Sequence, residues 1–236
     1  TLIDGKVVIF DCIEFNEPFR FTDVYADTAF LAMDLEDRGL KSLARRFVSQ
    51  YLELTEDYEG LELLNFYKAY RALVRAKVSL FSMPAEASPV QRAATLRQYR
   101  NYANLAESYS TIPSRFLAIT HGVSAVGKSS VSMRLVESLG AIRIRSDVVR
   151  KKLFGNQESE NAVGAGIYNA EASAVTYTKL HELAGIVLRA GFPVVLDATY
   201  LKRAQRDAAA KVAEATGVAC LILDCTAPDA VIEGWL

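Results

Sequence analysis

One glycine-rich segment constrains the fold of this chain more than any other feature. Residues 122–130 read Gly-Val-Ser-Ala-Val-Gly-Lys-Ser-Ser, which fits the pattern G-x-x-x-x-G-K-[ST] of phosphate-binding loops. The apolar residues 116–120 before the loop predict a buried strand, and residues 129–139 after it predict a helix. Because such loops bind phosphate between a strand and a helix, the segment predicts an α/β fold.

Individual positions of the loop have separate physical tasks. Gly122 and Gly127 allow the tight backbone turn that directs successive N–H groups at a phosphate. Lys128 supplies a mobile positive charge for the β- and γ-phosphates, and the Ser129 hydroxyl is a suitable Mg²⁺ ligand. The loop therefore predicts ATP and Mg²⁺ as ligands. The residues predicted to contact the nucleotide are Gly122, Ser124, Ala125, Val126, Gly127, Lys128, Ser129 and Ser130.

Composition excludes several other classes of protein. The 236 residues carry a formal net charge of −1, so no general attraction to nucleic acid or to a membrane surface is expected. No apolar stretch is long enough to span a bilayer, and we expect no signal peptide. The three cysteines lack metal-ligand spacing, which favours reduced thiols and a cytoplasmic location.

The pattern of apolar residues divides the chain into three parts. Residues 1–82 contain a short strand over 6–10 and three helical patterns over 23–38, 40–54 and 61–81. Residues 83–112 contain a connecting helix over 91–109. Residues 113–236 alternate strands and helices, which predicts a parallel sheet covered by helices on both faces. A polar, glycine-rich stretch over 155–166 predicts a mobile loop.

Two carboxylates follow predicted strands of this sheet. Asp197 ends the apolar run 193–196, where it can hold the water shell of Mg²⁺ opposite Ser129, although a helix-capping role is also open. Asp147 follows the strand over 141–144 and can accept the proton of an attacking hydroxyl, while Arg150 can steady a phosphoryl group. The alternative for this pair is a helix N-cap with a surface arginine.

Other polar residues carry weaker signals. Arg203 and Arg206 begin the helix after Asp197, where they can face either a substrate or solvent. His121 and His181 lack any nucleophile at a spacing that implies catalysis, so structural roles are expected. Asp11 ends the predicted strand over 6–10 and Glu14 lies three residues farther on, so the pair suits Mg²⁺, but alone it is weak evidence.

The second part resembles the small P-loop kinases, the group that includes gluconate, shikimate and chloramphenicol kinases and polynucleotide 5′-kinases. The matching features are the phosphate loop, the Asp147-x-x-Arg150 pair and Asp197-Ala198-Thr199 with a downstream arginine. This resemblance implies that Lys128, Ser129 and Asp197 serve ATP and Mg²⁺. It also implies that Asp147 and Arg150 serve the phosphate acceptor.

Residues 1–82 resemble the C-terminal lobe of aminoglycoside phosphotransferase-like kinases. The resemblance rests on residues 8–11 (Val-Ile-Phe-Asp) and 20–29. Residues 10–16 and 70–77 are more specific, and through them the chain as a whole is similar to bacterial proteins that fuse such a lobe to a P-loop ATP-binding domain. The catalytic loop and nucleotide lobe expected upstream, and the arginine-bearing lid expected downstream, are missing. The resemblance therefore implies a fragment whose first part is inactive and whose P-loop domain is incomplete at its C-terminus.

Three functions stay open at this stage. The leading hypothesis is an ATP-dependent phosphotransferase that acts on a small hydroxylated acceptor. A second is a regulatory ATPase or ATP-binding module that controls an upstream kinase-like lobe. A third is a nucleic-acid 5′-hydroxyl kinase, but residues 111–236 carry 14 basic and 12 acidic side chains, a net of only +2.

Overall fold

A computed structural model describes residues 2–8, 17–111, 114–155, 169–228, 230, 232 and 234. Within this described part, the first half is mainly helical and the second half is built around one parallel sheet. No helix of the described residues is long and apolar enough to cross a bilayer. The predicted strand end at residues 9–10, the acids Asp11 and Glu14, and most of the predicted loop over 155–166 lie outside the described residues.

The helical half begins with a small antiparallel hairpin and continues as five helices. The strands β1 (Leu2–Ile3) and β2 (Lys6–Val7) pair across a turn at Asp4-Gly5. The helices are α1 (Glu17–Arg20), α2 (Val24–Asp37), α3 (Lys41–Thr55), α4 (Leu61–Phe81) and α5 (Pro89–Ser108). The sequence patterns predict α2 to α5 to within two residues at each end, whereas the single turn of α1 carries no periodic signal.

Local chemistry explains two of these helix boundaries. The Asp23 side chain accepts a hydrogen bond from the N–H of Tyr25, so α2 begins with a satisfied N-cap. Ser88 and Gln91 form a reciprocal capping box at the start of α5, and Pro89 occupies the first helical position, where its missing N–H costs nothing.

The second half folds around a four-stranded sheet in which every strand is parallel to its neighbours. The strands are β3 (Phe116–His121), β4 (Ile142–Arg145), β5 (Val194–Asp197) and β6 (Ala219–Asp224), in the spatial order β4-β5-β3-β6. The helices between them are α6 (Lys128–Leu139), α7 (Ser146–Phe154), α8 (Ala170–Arg189) and α9 (Arg203–Ala215). The predicted α/β class is therefore confirmed, with α6 starting one residue earlier than expected.

Alternation along the strands sends side chains to two separate layers of core. Leu117, Ile119 and Leu196 belong to the layer that contains α8 and α9, whereas Ala118 and Val195 belong to the layer that contains Leu135 of α6. Helices thus cover both faces, which is the arrangement that buried parallel strands require. The central position of β3 places its carboxyl end, and the loop after it, in the middle of the sheet edge.

The helical half packs against the sheet half through α3. Arg143 of β4 donates to Glu53 of α3 from Nε (3.0 Å) and Nη2 (2.9 Å), and both side chains are almost fully buried. Arg45 of α3 donates from Nη1 to the carbonyl oxygens of Glu137 and Ser138 at the end of α6, at 2.8 Å each. The predicted division near residue 112 stays a prediction, since residues 112–113 lie outside the described part.

We expect the substitution Glu53→Gln to destabilise the protein by about 3–5 kcal/mol, because it leaves the buried Arg143 guanidinium without its carboxylate. Chemical denaturation followed by circular dichroism measures this change. The control is Glu182→Gln, since Glu182 pairs with Lys179 in solvent and its loss is expected to cost less than about 0.5 kcal/mol. Equal effects of the two substitutions would contradict a role for this ion pair in joining the halves.

Candidate functional site

The phosphate loop connects β3 to α6 through a backbone that only small residues accept easily. Gly122, Ala125 and Gly127 have positive φ angles of 137°, 60° and 84°. A Cβ on Gly122 would lie 2.5 Å from the carbonyl oxygen of Cys225, so a larger residue there would displace the strand end of β6. The motif therefore uses its first glycine for close packing and its second to begin α6.

Ala125 takes a conformation that glycine adopts more readily. Its φ of 60° lies in the left-handed region, where the Cβ of an L-residue costs about 1–2 kcal/mol. The geometry therefore identifies Ala125 as a strained position within the candidate site.

The Lys128 side chain lies back along the loop. Its Nζ donates a hydrogen bond to the carbonyl oxygen of Val123. Burial lowers the pKa of this ammonium group, and the charges of Asp197 and Cys225 oppose that shift. Together with Ala125, Gly127, Ser129 and Ser130, it borders an open cavity of about 310 Å³ at the N-terminus of α6.

Asp197 lies beside the loop, at the buried end of β5. Its Oδ2 accepts a hydrogen bond from Ser132 Oγ at 2.9 Å, and the same hydroxyl lies 3.1 Å from the carbonyl oxygen of Ser129. The helix that follows, α9, has Lys202 as its N-cap, so the capping alternative for Asp197 does not match the geometry. Ser132 is a site residue that the loop pattern does not include.

The segment after β5 is fixed to the loop by hydrogen bonds that the sequence does not reveal. Thr120 Oγ1 donates to the carbonyl oxygen of Ala198 (2.7 Å) and accepts from the Ala198 N–H (3.1 Å). The Gly122 N–H donates to the carbonyl oxygen of Thr199 at 3.2 Å. Asp197 is therefore held at a set distance from the phosphate loop by its own chain neighbours.

Aromatic side chains brace the same segment from α8. Tyr200 is fully buried with a φ of 45°, and its N–H donates to the Tyr177 hydroxyl at 3.2 Å. His181 Nε2 lies 3.2 Å from the Tyr200 hydroxyl, and burial lowers the pKa of this imidazole. These contacts agree with the structural role expected for His181. Arg206 donates to the carbonyl oxygens of Tyr200 and Leu201, which accounts for its position without a substrate.

Asp147 and Arg150 lie at the same edge of the sheet as Asp197. They follow β4, which is one strand farther from the phosphate loop than β5, the strand that ends at Asp197. Asp147 is the second residue of α7, whose N-cap is Arg145, so the carboxylate does not cap its own helix. Asp147 Oδ2 instead pairs with Arg145 Nη2 at 2.7 Å, and Arg145 Nη1 lies 3.8 Å from Glu53 Oε2. Arg150 Nε lies 3.5 Å from Thr176 Oγ1. Their roles toward an acceptor stay predictions.

The remaining polar residues near the loop pair with one another. His121 Nδ1 lies 2.8 Å from Asp224 Oδ1, which joins the ends of β3 and β6. Arg203 lies 3.7 Å from Asp207 on an exposed surface of α9, as a solvated pair does. Among the described residues, no group of three or more His, Cys, Asp and Glu side chains could hold a metal ion. A Mg²⁺ ion here would thus need oxygen ligands from the nucleotide and water as well.

Replacing Ala125 with glycine is expected to stabilise the protein by about 0.5–1 kcal/mol, because relief of the left-handed strain exceeds the entropy gained by the unfolded chain. The matched control is Ala210→Gly, at an exposed position away from the ends of α9, which is expected to destabilise the protein by about 0.5–1 kcal/mol. Thermal and urea unfolding report both values. A loss of stability with Ala125→Gly would show that the loop does not hold this conformation in solution.

Comparisons with known proteins agree with this geometry. Residues 117–236 match a protein family described as "AAA domain". Three relatives are called uncharacterized proteins: Mb2027c of Mycobacterium bovis, and MT2060 and Rv2004c from two strains of Mycobacterium tuberculosis. Each is 33% identical over 234 residues, which cover 96% of this chain and 45% of the relative.

The chain thus spans about half the length of these curated relatives. The family match starts within β3 and includes the phosphate loop, Asp147, Arg150 and Asp197. By its sequence and its parallel sheet, the chain belongs to the AAA domain family, and residues 117–236 form a P-loop, nucleotide-binding domain of the kinase-like type.

Proposed function

We propose that this protein binds ATP with Mg²⁺ and transfers the γ-phosphoryl group to the hydroxyl of a small acceptor molecule. The observation that carries the proposal is the arrangement around one cavity that Lys128 and the first turn of α6 border. The buried Asp197 accepts a hydrogen bond from Ser132 of the same helix and lies close enough to Lys128 for its charge to act on that ammonium group. A nucleoside triphosphate site requires a cation, a helix dipole and a carboxylate at the carboxyl edge of a parallel sheet.

The residues of the loop fit this ligand. The first N–H groups of a helix lack partners within it, and no side chain of the described residues caps the start of α6, so N–H groups there are available to phosphate oxygens. Lys128 would exchange the Val123 carbonyl for phosphate oxygens, and Ser129 and Asp197 would hold Mg²⁺ directly or through water. When bound, Mg²⁺ would neutralise the negative charge that develops on the phosphate oxygens during transfer.

Asp147 and Arg150 are proposed to act on the acceptor side. In the transfer, the acceptor hydroxyl oxygen forms a bond to the γ-phosphorus as the bond to the ADP oxygen breaks, and the hydroxyl proton passes to the Asp147 carboxylate. The Arg145 guanidinium orients that carboxylate, since Arg145 Nη2 lies 2.7 Å from Asp147 Oδ2. Arg150 would steady the group in transfer, as a guanidinium does for phosphoryl oxygens.

A second candidate function is regulatory, and a specific observation favours considering it. Arg45 of α3 contacts the last carbonyls of α6, the helix whose first turn forms the phosphate site. ATP occupancy would then bias contacts with the helical half and with the kinase-like lobe proposed upstream in the full-length protein. The two candidates separate when acceptors are added, because only a phosphotransferase raises ATP turnover well above the hydrolysis background.

A third candidate, the nucleic-acid 5′-hydroxyl kinase, has less support. Its substrate would need a basic surface that tracks several phosphates, whereas the net charge of residues 111–236 is only +2. A small acceptor remains the proposal. A panel of sugars, aminoglycosides and nucleosides, assayed with the full-length protein for ATP consumption, would identify its class.

The substitution Lys128→Ala is expected to weaken ATP·Mg²⁺ binding by at least about 10–100-fold and to leave the fold intact, since each charge-assisted contact contributes about 1.5–3 kcal/mol. Isothermal titration calorimetry compares the affinities. Lys211→Ala, on the exposed surface of α9, controls for loss of a lysine and is expected to bind as the wild type does. Equal affinities for all three proteins would refute the assignment of the loop.

In the full-length protein, substitution of Asp147 and substitution of Asp197 are expected to have different effects. Asp147→Asn should retain ATP affinity but lower turnover by roughly 10²–10⁴-fold, the range for loss of a general base. Asp197→Asn should instead weaken Mg²⁺-dependent nucleotide binding, because Asp197 lies beside Ser132 and the phosphate loop. Steady-state kinetics and Mg²⁺ titrations separate these effects, and a turnover unchanged by Asp147→Asn would remove it from the mechanism.

A further inference from the structure

A second cavity lies at the other end of α6 from the phosphate loop. It has a volume of about 360 Å³, within the range of small-molecule sites, and it opens where the helical half meets the sheet half. Leu139 and Gly140, at the C-terminal end of α6, form part of its wall. Since α6 has 12 residues, about 18 Å of helix separates this cavity from Lys128.

The walls of this cavity are partly apolar. Val48, Leu64, Leu105, Ile142 and Phe192 line it, and they come from α3, α4, α5, β4 and the turn before β5. Such a surface favours a ligand with an apolar or aromatic body, because burial of apolar area drives its association. The side chains that give the cavity specificity are its charged residues.

The charged side chains of the cavity carry a surplus of positive charge. Lys41, Arg45 and Lys68 line it against a single acid, Glu36. Lys68 Nζ lies 2.8 Å from Glu36 Oε1, and the Tyr109 hydroxyl donates to Glu36 Oε2, so that acid is already committed. Neither Arg45 nor Lys41 forms an ion pair with any carboxylate of the described residues. The positive charges of these two side chains are therefore not balanced by a carboxylate of the described residues.

Arg45 is the cation best placed to receive an anion. Its Nη1 holds the carbonyl oxygens of Glu137 and Ser138, which orients the planar guanidinium at the cavity wall. Gly140 allows this close approach, since a Cβ there would lie 3.2 Å from Arg45 Nε. Burial lowers the pKa of Lys68, Glu36 opposes that shift, and the charge of Arg45 adds to it, so the two cations are close enough to repel. An anion bound at Arg45 would offset this positive charge.

We propose that this cavity binds a small anionic molecule, a carboxylate or a phosphate ester with an apolar or aromatic body, whose charged group contacts Arg45 and Lys41. The proposal does not depend on phosphoryl transfer at the loop. A guanidinium matches the planar edge of a carboxylate or two phosphate oxygens, and Lys41, exposed at the start of α3, adds a mobile charge at the rim.

The test uses two probes, benzoate and phenyl phosphate, titrated into the protein by calorimetry and by ligand-observed NMR. We expect saturable binding of at least one probe at this cavity, which Lys128→Ala retains even where phenyl phosphate also occupies the phosphate loop, and no binding of the neutral analogue benzyl alcohol. Which probe binds more tightly distinguishes a carboxylate ligand from a phosphate ester. Absence of saturable binding of both probes up to about 10 mM, the weak limit for fragments of this size, would overturn the proposal.

Substitutions place the bound probe at this cavity rather than at the phosphate loop. Lys41→Ala changes an exposed residue and is expected to weaken binding by about threefold to tenfold, and Arg45→Gln by about tenfold or more, as loss of a charged hydrogen bond predicts. Lys128→Ala should leave benzoate affinity unchanged and should remove only the phenyl phosphate that occupies the phosphate loop. Probe binding that is lost entirely with Lys128→Ala, or that both cavity substitutions leave intact, would contradict the proposal.

ATP affinity measured on the same variants separates this proposal from that for the phosphate loop. Lys41→Ala is expected to bind ATP·Mg²⁺ as the wild type does, because Lys41 lies at the opposite end of α6. Circular dichroism checks that Arg45→Gln is folded, and Lys41→Ala retains the test if it is not. Failure of probe binding with normal ATP binding would refute the anion site alone.

Discussion

The left-handed backbone of the loop after β3 is the constraint on which the rest of the structure depends. Positive φ angles at Gly122, Ala125 and Gly127 turn the chain from strand into helix within six residues. The surrounding elements hold that turn: the Gly122 N–H donates to the carbonyl oxygen of Thr199, and the carbonyl oxygen of Cys225 packs against Gly122. Because β3 pairs with both β5 and β6, the loop is supported from two sides.

The helical half is joined to the sheet half by a buried ion pair as well as by apolar contacts. Glu53 pairs with Arg143 in the interior and lies 3.8 Å from Arg145, which in turn pairs with Asp147. One continuous apolar cluster includes residues of α2, α3, α4 and the sheet. Asp147, the residue proposed to act on the acceptor, is thus connected to the helical half by two ion pairs.

The sequence was most informative where function depends on local spacing. The loop pattern, the strand-terminal position of Asp197 and the helices from α2 to α5 all follow from neighbours within a few residues, and the structure has them where the patterns predict. Contacts between distant residues were not predictable. Ser132 with Asp197 and Thr120 with Ala198 join residues 65 and 78 positions apart. No periodicity encodes such pairs, because they arise only when the sheet brings strand ends together.

We propose that residues 122–130 bind the phosphates of ATP, and a crystal structure of the protein with Mg²⁺ and a non-hydrolysable ATP analogue is the sharpest test. We expect the β-phosphate within hydrogen-bond distance of the N–H groups of Gly127, Lys128 and Ser129, with Lys128 Nζ moved from the Val123 carbonyl to the phosphates. An analogue bound elsewhere, with Lys128 still on Val123, would show that this loop is not the ATP site.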